Sequence, residues 1–147
     1  MRTVLIGMNN PLSRNPEHAL WPAPPNCAGW RLWKMLDDRV PTDPLDYTSG
    51  FERINLCGKA HWDRTAARRR AAKMLHELQG RTVIVLGAAV RDAFRLPPVL
   101  VKPVVDRGVT WRQLPHPSGR CRWYNDPRHR KIAGLLLEEE LVRGREA

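Results

Sequence analysis

No apolar run in this sequence approaches the ~20 residues that a membrane-spanning helix needs, so no transmembrane segment is expected. The opening Met1-Arg2-Thr3-Val4-Leu5-Ile6-Gly7 is too short for a secretory signal, and a soluble, intracellular protein is the expectation. Cysteine is sparse: Cys27, Cys57 and Cys121 are widely spaced, form no CxxC pair and have no histidine at ligand spacing. A zinc or iron–sulfur centre lacks its fourth ligand, so neither metal nor cofactor is expected. An odd number of thiols cannot all pair, and free thiols in a reducing compartment are the simplest reading. Acidic residues are outnumbered 15 to 25 by lysine and arginine, a formal net charge of +10. That excess, mostly arginine, suits a polyanionic partner whose phosphates a planar guanidinium can grip with two donors. There is no internal repeat and no low-complexity tract. A length of 147 residues fits one domain, residues 1–147, with one sizeable core, and a monomer is expected.

What is present alternates between two periods. Residues 3–6 are apolar and rich in β-branching, a buried strand ended by Gly7. A long loop crowded with Pro and Asn follows over 8–28, and loops of that length are usually functional or disordered. Trp30, Leu32, Trp33, Met35 and Leu36 have helical spacing, and Trp30 and Trp33 are read as core. Residues 41–50 are punctuated by Pro, Asp and Gly, and Ile54-Asn55-Leu56 looks like the centre of a second strand. Thr65 can cap a helix over 65–78 whose Arg68, Arg69 and Arg70 face solvent. Residues 82–87 form the clearest strand, a short helix is expected over 88–94, and a Pro- and Val-rich connector leads to a strand over 109–113. Asp126-Pro127 supplies a cap and first-turn proline for a last helix reaching about residue 142. Strands alternating with helices imply an α/β fold, a three-layer α/β/α sandwich around a mainly parallel sheet of four to five strands.

In such sheets ligands bind beyond the carboxyl ends of the strands, and three notable segments fall there. Gly7-Met8-Asn9-Asn10-Pro11 follows the first strand, Asn55 lies at the second, and Leu114-Pro115-His116-Pro117-Ser118-Gly119-Arg120 follows the last. Pro115 and Pro117 fix φ on either side of His116 and favour extended neighbours, so the imidazole is presented on a stiff turn. Arg120, Arg122 and Trp123 then set cations beside an aromatic ring, a composition suited to phosphate contact and base stacking.

These three segments, in this order and spacing, resemble the uracil-DNA glycosylase superfamily over most of the chain. Gly7-Met8-Asn9 is similar to the first motif of its single-strand-selective monofunctional and mismatch-specific branches, Gly-Met-Asn-Pro or Gly-Ile-Asn-Pro, with one extra residue, Asn10, ahead of the proline. His116-Pro117-Ser118-Gly119-Arg120 is similar to the second motif, and Asn55 to the asparagine that reads the pyrimidine. The resemblance implies base excision from DNA by base flipping, without a cofactor. It implies Asn9, or Asn10, as the residue that orients water, and His116 as the donor that meets negative charge on the departing base. Gly7, Met8 and Asn55 would contact the base, with Trp21 as its aromatic platform and Phe51 as an alternative. Ser118 would contact a backbone phosphate, and Arg120, with Gly119, Arg122 and Trp123 beside it, would fill the space the base leaves. The substrate so implied is uracil or a 5-substituted uracil in single- or double-stranded DNA. Hypoxanthine or a hypermodified phage pyrimidine would fit the same scaffold. The extra Asn10 and the absence of an Asp from the first motif leave a second function open, a nucleic-acid-binding module with weak or no catalysis.

Overall fold

Side chains along each strand alternate between the two faces of one sheet, and each face has its own apolar core. The structure, a computed structural model, describes residues 1–10, 12–58 and 61–146. Its strands are β1 (Val4–Asn9), β2 (Glu52–Cys57), β3 (Thr82–Leu86), β4 (Val104–Asp106) and β5 (Val109–Leu114). They form one five-stranded sheet in the order β2-β1-β3-β5-β4, parallel except where β4 runs antiparallel to β5. Val4, Ile6, Val83, Val85 and Trp111 point to the face covered by α3 (Arg64–Glu77) and α4 (Ala88–Ala93). Leu5, Ile84, Leu86 and Leu114 point to the other, covered by α1 (Ala28–Arg39), α2 (Pro44–Gly50) and α5 (Pro127–Glu146). Helices on both faces make a three-layer α/β/α sandwich. β3 is buried at every residue, as a central parallel strand should be. Among the described residues no helix is long and apolar enough to cross a membrane.

Several boundaries differ from the sequence reading, each for a local reason. The first strand does not end at Gly7; it continues to Asn9, because Gly7 pairs with Asn55 and Asn9 with Cys57 across the parallel ladder. Residues 41–50 hold a helix, α2, since Asp43 accepts a hydrogen bond from the Leu45 N–H at 2.9 Å and Pro44 occupies the first turn. The cap of α3 is Asp63 rather than Thr65, its side chain accepting from the Ala66 N–H at 3.1 Å. The connector before β5 contains β4, a short edge strand. α5 begins as expected, with Asp126 accepting from the Arg128 N–H at 2.9 Å, and runs past residue 142 to Glu146.

A buried carboxylate locks α5 to the sheet. Glu140, 5% exposed, accepts from Arg143 Nε at 2.6 Å and from Thr3 Oγ1 at 3.4 Å, and lies 3.6 Å from Arg112 Nη1 of β5. The cluster ties the start of the first strand, the last strand and the last helix together. Breaking such a group by removing one partner leaves the others desolvated and unpaired, which costs more than the pairing itself contributes. Glu140→Ala is therefore expected to lower stability by about 3 kcal/mol in urea unfolding, with an unchanged slope. An unchanged midpoint would show that the cluster contributes nothing.

Candidate functional site

The chain moves outward from β1 to β2 over one face of the sheet, then crosses back over the other face to β3 and on toward β5. Loops leaving β1 and β3 therefore diverge to opposite faces, which opens a crevice at the carboxyl ends of the strands. In that crevice lies a cavity of about 580 Å³, within the range typical of small-ligand sites. Met8 and Asn9 reach it from β1, Asn55 from β2, Trp21 from the long loop, and His116, Ser118 and Gly119 from the turn after β5.

His116 is held through the backbone around it. The Gly87 N–H donates to the Leu114 carbonyl at 2.8 Å, the Tyr124 hydroxyl to the Pro115 carbonyl at 2.6 Å, and the Ser118 N–H to the His116 carbonyl at 2.8 Å. Gly87 has a φ of 97°, open to glycine, and a Cβ there would sit 3.1 Å from the Cβ of His116. The imidazole itself takes no hydrogen-bond partner among the described residues, and burial lowers its pKa below the ordinary histidine value. At neutral pH it is an uncharged ring with a free N–H.

Asn55 is positioned by a glycine across the ladder. A Cβ at Gly7 would lie 3.0 Å from Asn55 Oδ1 and 3.0 Å from Leu20 Cδ2, so a side chain there would push the carboxamide or Leu20 aside by a few tenths of an ångström. Gly7 is buried beneath the cavity rather than lining it. From the other side, Arg70 Nη1 donates to the carbonyls of Asn55 and Leu56 at 2.9 and 3.1 Å. The Asn55 carboxamide has no partner among the described residues, so one donor and one acceptor are open to a ligand.

The long first loop is ordered by side chains from elsewhere. Arg53 Nη1 donates to the carbonyls of Glu17 and Ala19 at 3.1 and 2.8 Å, and the Tyr47 hydroxyl to that of Leu20 at 2.8 Å. Leu20 is held at a φ of 51°, a left-handed conformation unfavourable for a branched side chain and sustained by such tertiary contacts. The Arg53 guanidinium also lies 5.3 Å from the Trp21 ring centroid, a cation–π contact that holds the indole at the cavity wall. Asn10 is committed to this loop: its amide donates to the His18 carbonyl at 3.0 Å and its oxygen accepts from the Leu12 N–H at 3.0 Å. The extra residue thus builds a turn, and it lines the cavity together with Asn9. Pro11, the end of the first motif, lies outside the described residues.

Other expected residues do not join the cavity. Arg120 and Arg122 are exposed on the turn and the single 3-10 turn that follow it. Trp123 stacks on His129 at 4.3 Å, 12° between planes, and packs against the core under α5, so it is structural. Phe51 is 1% exposed against Tyr47 and cannot be a platform. Arg70, read as merely solvated, braces β2, whereas Arg68 and Arg69 do face solvent. Sequence reasoning missed Arg53, Tyr47 and Gly87. Only Gly87, a glycine closing an all-apolar strand, carried a local signal.

Among the described residues, the cavity lining contains no Asp, Glu, Lys or Arg. Its polar groups are carboxamides, hydroxyls, a thiol, backbone and the imidazoles of His18 and His116. Nor, among the described residues, do three or more His, Cys, Asp or Glu side chains cluster so as to hold a metal ion. The arrangement can read a neutral, planar, hydrogen-bonding ligand and supply a donor to charge that develops on it. Comparison of the chain with protein-family models yields no match, and comparison with curated proteins yields none.

Two outcomes are expected. In an NMR titration His116 should have a midpoint below 6.5, its ordinary value. The unfolded chain then protonates His116 first, so its contribution is nil above that pH and stability falls as pH drops through and below it. A midpoint at or above the ordinary value would contradict a desolvated ring. Gly87→Ala should destabilise the protein by about 1–2 kcal/mol and shift the His116 ring resonances, because the new methyl strains φ and meets the histidine.

Proposed function

We propose that this protein is a monofunctional DNA glycosylase, similar to the uracil-DNA glycosylase superfamily, that releases uracil or a 5-substituted uracil from DNA. One observation carries the reading: the unpaired Asn55 carboxamide and the unpaired, uncharged His116 converge with Asn9 on a single cavity free of charged side chains among the described residues. A pyrimidine edge presents one donor and acceptors in line, which a carboxamide matches with its own acceptor and donor. Trp21 supplies an apolar face against which a flipped base can lie.

In the reaction the bond between the base nitrogen and the sugar C1′ breaks, and its electron pair leaves with the base. Negative charge grows on the base carbonyl oxygen, where His116 donates a hydrogen bond; a neutral imidazole serves, since a donor at that point is what lowers the barrier. The sugar becomes oxocarbenium-like and takes up water on its far face. Asn9 accepts a hydrogen bond from that water and aims its lone pair at C1′. The water proton passes to solvent or the departing base, leaving free base and an abasic sugar. With no carboxylate among the described lining residues to deprotonate water, the rate rests on leaving-group stabilisation. Ser118 and Gly119, which line the cavity, and exposed Arg120 beyond would meet the strand from which the base has turned out.

The absence of that carboxylate also favours a second reading, a nucleic-acid-binding module on the same scaffold. Labelled single- and double-stranded oligonucleotides carrying uracil, 5-substituted uracils and hypoxanthine, incubated with the protein and then cleaved with alkali, separate the two. Scission at uracil or a 5-substituted uracil is expected. Tight, salt-sensitive binding with no base release in single-turnover conditions would establish the module instead. His116→Ala is expected to slow base release at least about tenfold with DNA affinity largely kept; an unchanged rate removes His116 from catalysis.

A further inference from the structure

Beside the main cavity lies a second, smaller recess of about 140 Å³, and the two share Asn10, Ser13 and Asn55 as a common wall. No charged side chain lines the main cavity among the described residues, but the recess is lined by three guanidinium side chains, those of Arg14, Arg53 and Arg70. Among the described residues none of the three makes an ion pair, whereas Arg39, Arg81, Arg112 and Arg128 each meet a carboxylate. Arg14 is exposed and has no hydrogen-bond partner among the described residues. Arg53 spends Nη1 on two loop carbonyls, its Nε is buried without an acceptor, and Arg70 spends Nη1 on two strand carbonyls. Burial lowers the pKa of Arg53, with Arg2 adding to that shift and Tyr47 and Glu17 opposing it.

Three like charges around so small a space repel one another unless an anion sits among them. Two are fixed by their backbone contacts, so their forks are oriented before any ligand arrives, which lowers the entropic cost of binding one. The shared wall is itself fixed, since the Ser13 hydroxyl meets His18 Nδ1 at 2.9 Å and accepts from the Asn15 N–H at 3.1 Å, and the Asn10 carboxamide is bound within the loop.

We infer that this recess is a phosphate seat, holding a phosphate group next to a base bound in the main cavity. The placement on a DNA strand rests on the proposed glycosylase reading: a base in the cavity carries its own sugar and flanking phosphates, and the recess adjoins that cavity along Asn10 and Ser13. The seat itself requires only a phosphate oxyanion, whether free or part of a phosphodiester.

The test uses inorganic phosphate and a single-stranded oligodeoxynucleotide as separate probes of the whole chain. Phosphate added at constant ionic strength should move the side-chain Nε–Hε signals of Arg53 and Arg70 saturably, where chloride does not. Arg14→Ala should weaken phosphate binding several-fold and lower the salt slope of oligonucleotide binding by about 0.7, the value for one lost contact on a single strand. Arg145→Ala, at the far end of α5, should leave that slope unchanged. If Arg14→Ala weakens phosphate but not oligonucleotide, the seat serves free phosphate and its placement on a strand is overturned. If phosphate produces no saturable shift and the slope is unaltered, the seat is overturned, even in a protein that releases base. Conversely, phosphate and oligonucleotide binding that respond to Arg14→Ala without any base release leave the seat standing while the glycosylase reading fails.

Discussion

The parallel pairing of β1 with β2 on one side and β3 on the other decides which residues can meet in this protein. Its register sets Gly7 opposite Asn55, and β3 in turn carries β5 alongside with Leu86 opposite Leu114. Every strand that matters to the cavity therefore ends on the same side. A slip of one residue in β2 would turn Asn55 to the opposite face of the sheet. Val4 and Ile6 belong to one core and Leu5 to the other, so a slip would exchange side chains between two packed cores, where each buried side chain is worth roughly 1.5–3 kcal/mol.

Around this frame the charge distribution is divided in a way composition does not reveal. A chain with net charge +10 surrounds a cavity whose described lining holds no charged side chain. Arginines work at its margins: Arg53 and Arg70 hold backbone, and Arg14, Arg120 and Arg122 are exposed. Low polarity at the centre keeps His116 neutral and strengthens any hydrogen bond made there, while the basic margin favours an anionic polymer. The proposed chemistry asks for a partly desolvated donor and an attraction for phosphate, and these would come from different shells of the same site.

Much of this architecture was legible in the amino-acid order. The apolar run over 82–86 announces a central strand, and Asp126-Pro127 announces the start of α5. The turn 114–120 announces a presented histidine because proline restricts φ wherever it stands. Less legible were β4 and α2, short elements whose existence depends on pairing with β5 or packing under α5. The long loop was unreadable from its own residues. Turns within it are set by Asn10 and Asn15, but its seat against the sheet comes from Arg53 and Tyr47, which follow it in the chain and reach back across tens of residues. Trp123 shows the reverse error: aromatic and cationic neighbours look like a nucleic-acid surface, yet the ring is stacked on His129.

By itself the sequence determined the fold class, the two-faced sheet and the three segments that carry polar chemistry, because hydrophobic period, proline and capping residues act over a few bonds. Tertiary structure alone decided that Asn9, Asn55 and His116 share one cavity, that Asn10 serves the loop, and that three arginines with no ion pair among the described residues gather beside it. Those outcomes depend on strand register and on glycine at Gly7 and Gly87, where another segment approaches closely enough to crowd a side chain. Such proximity is set by packing between distant segments, and no window of local sequence encodes it.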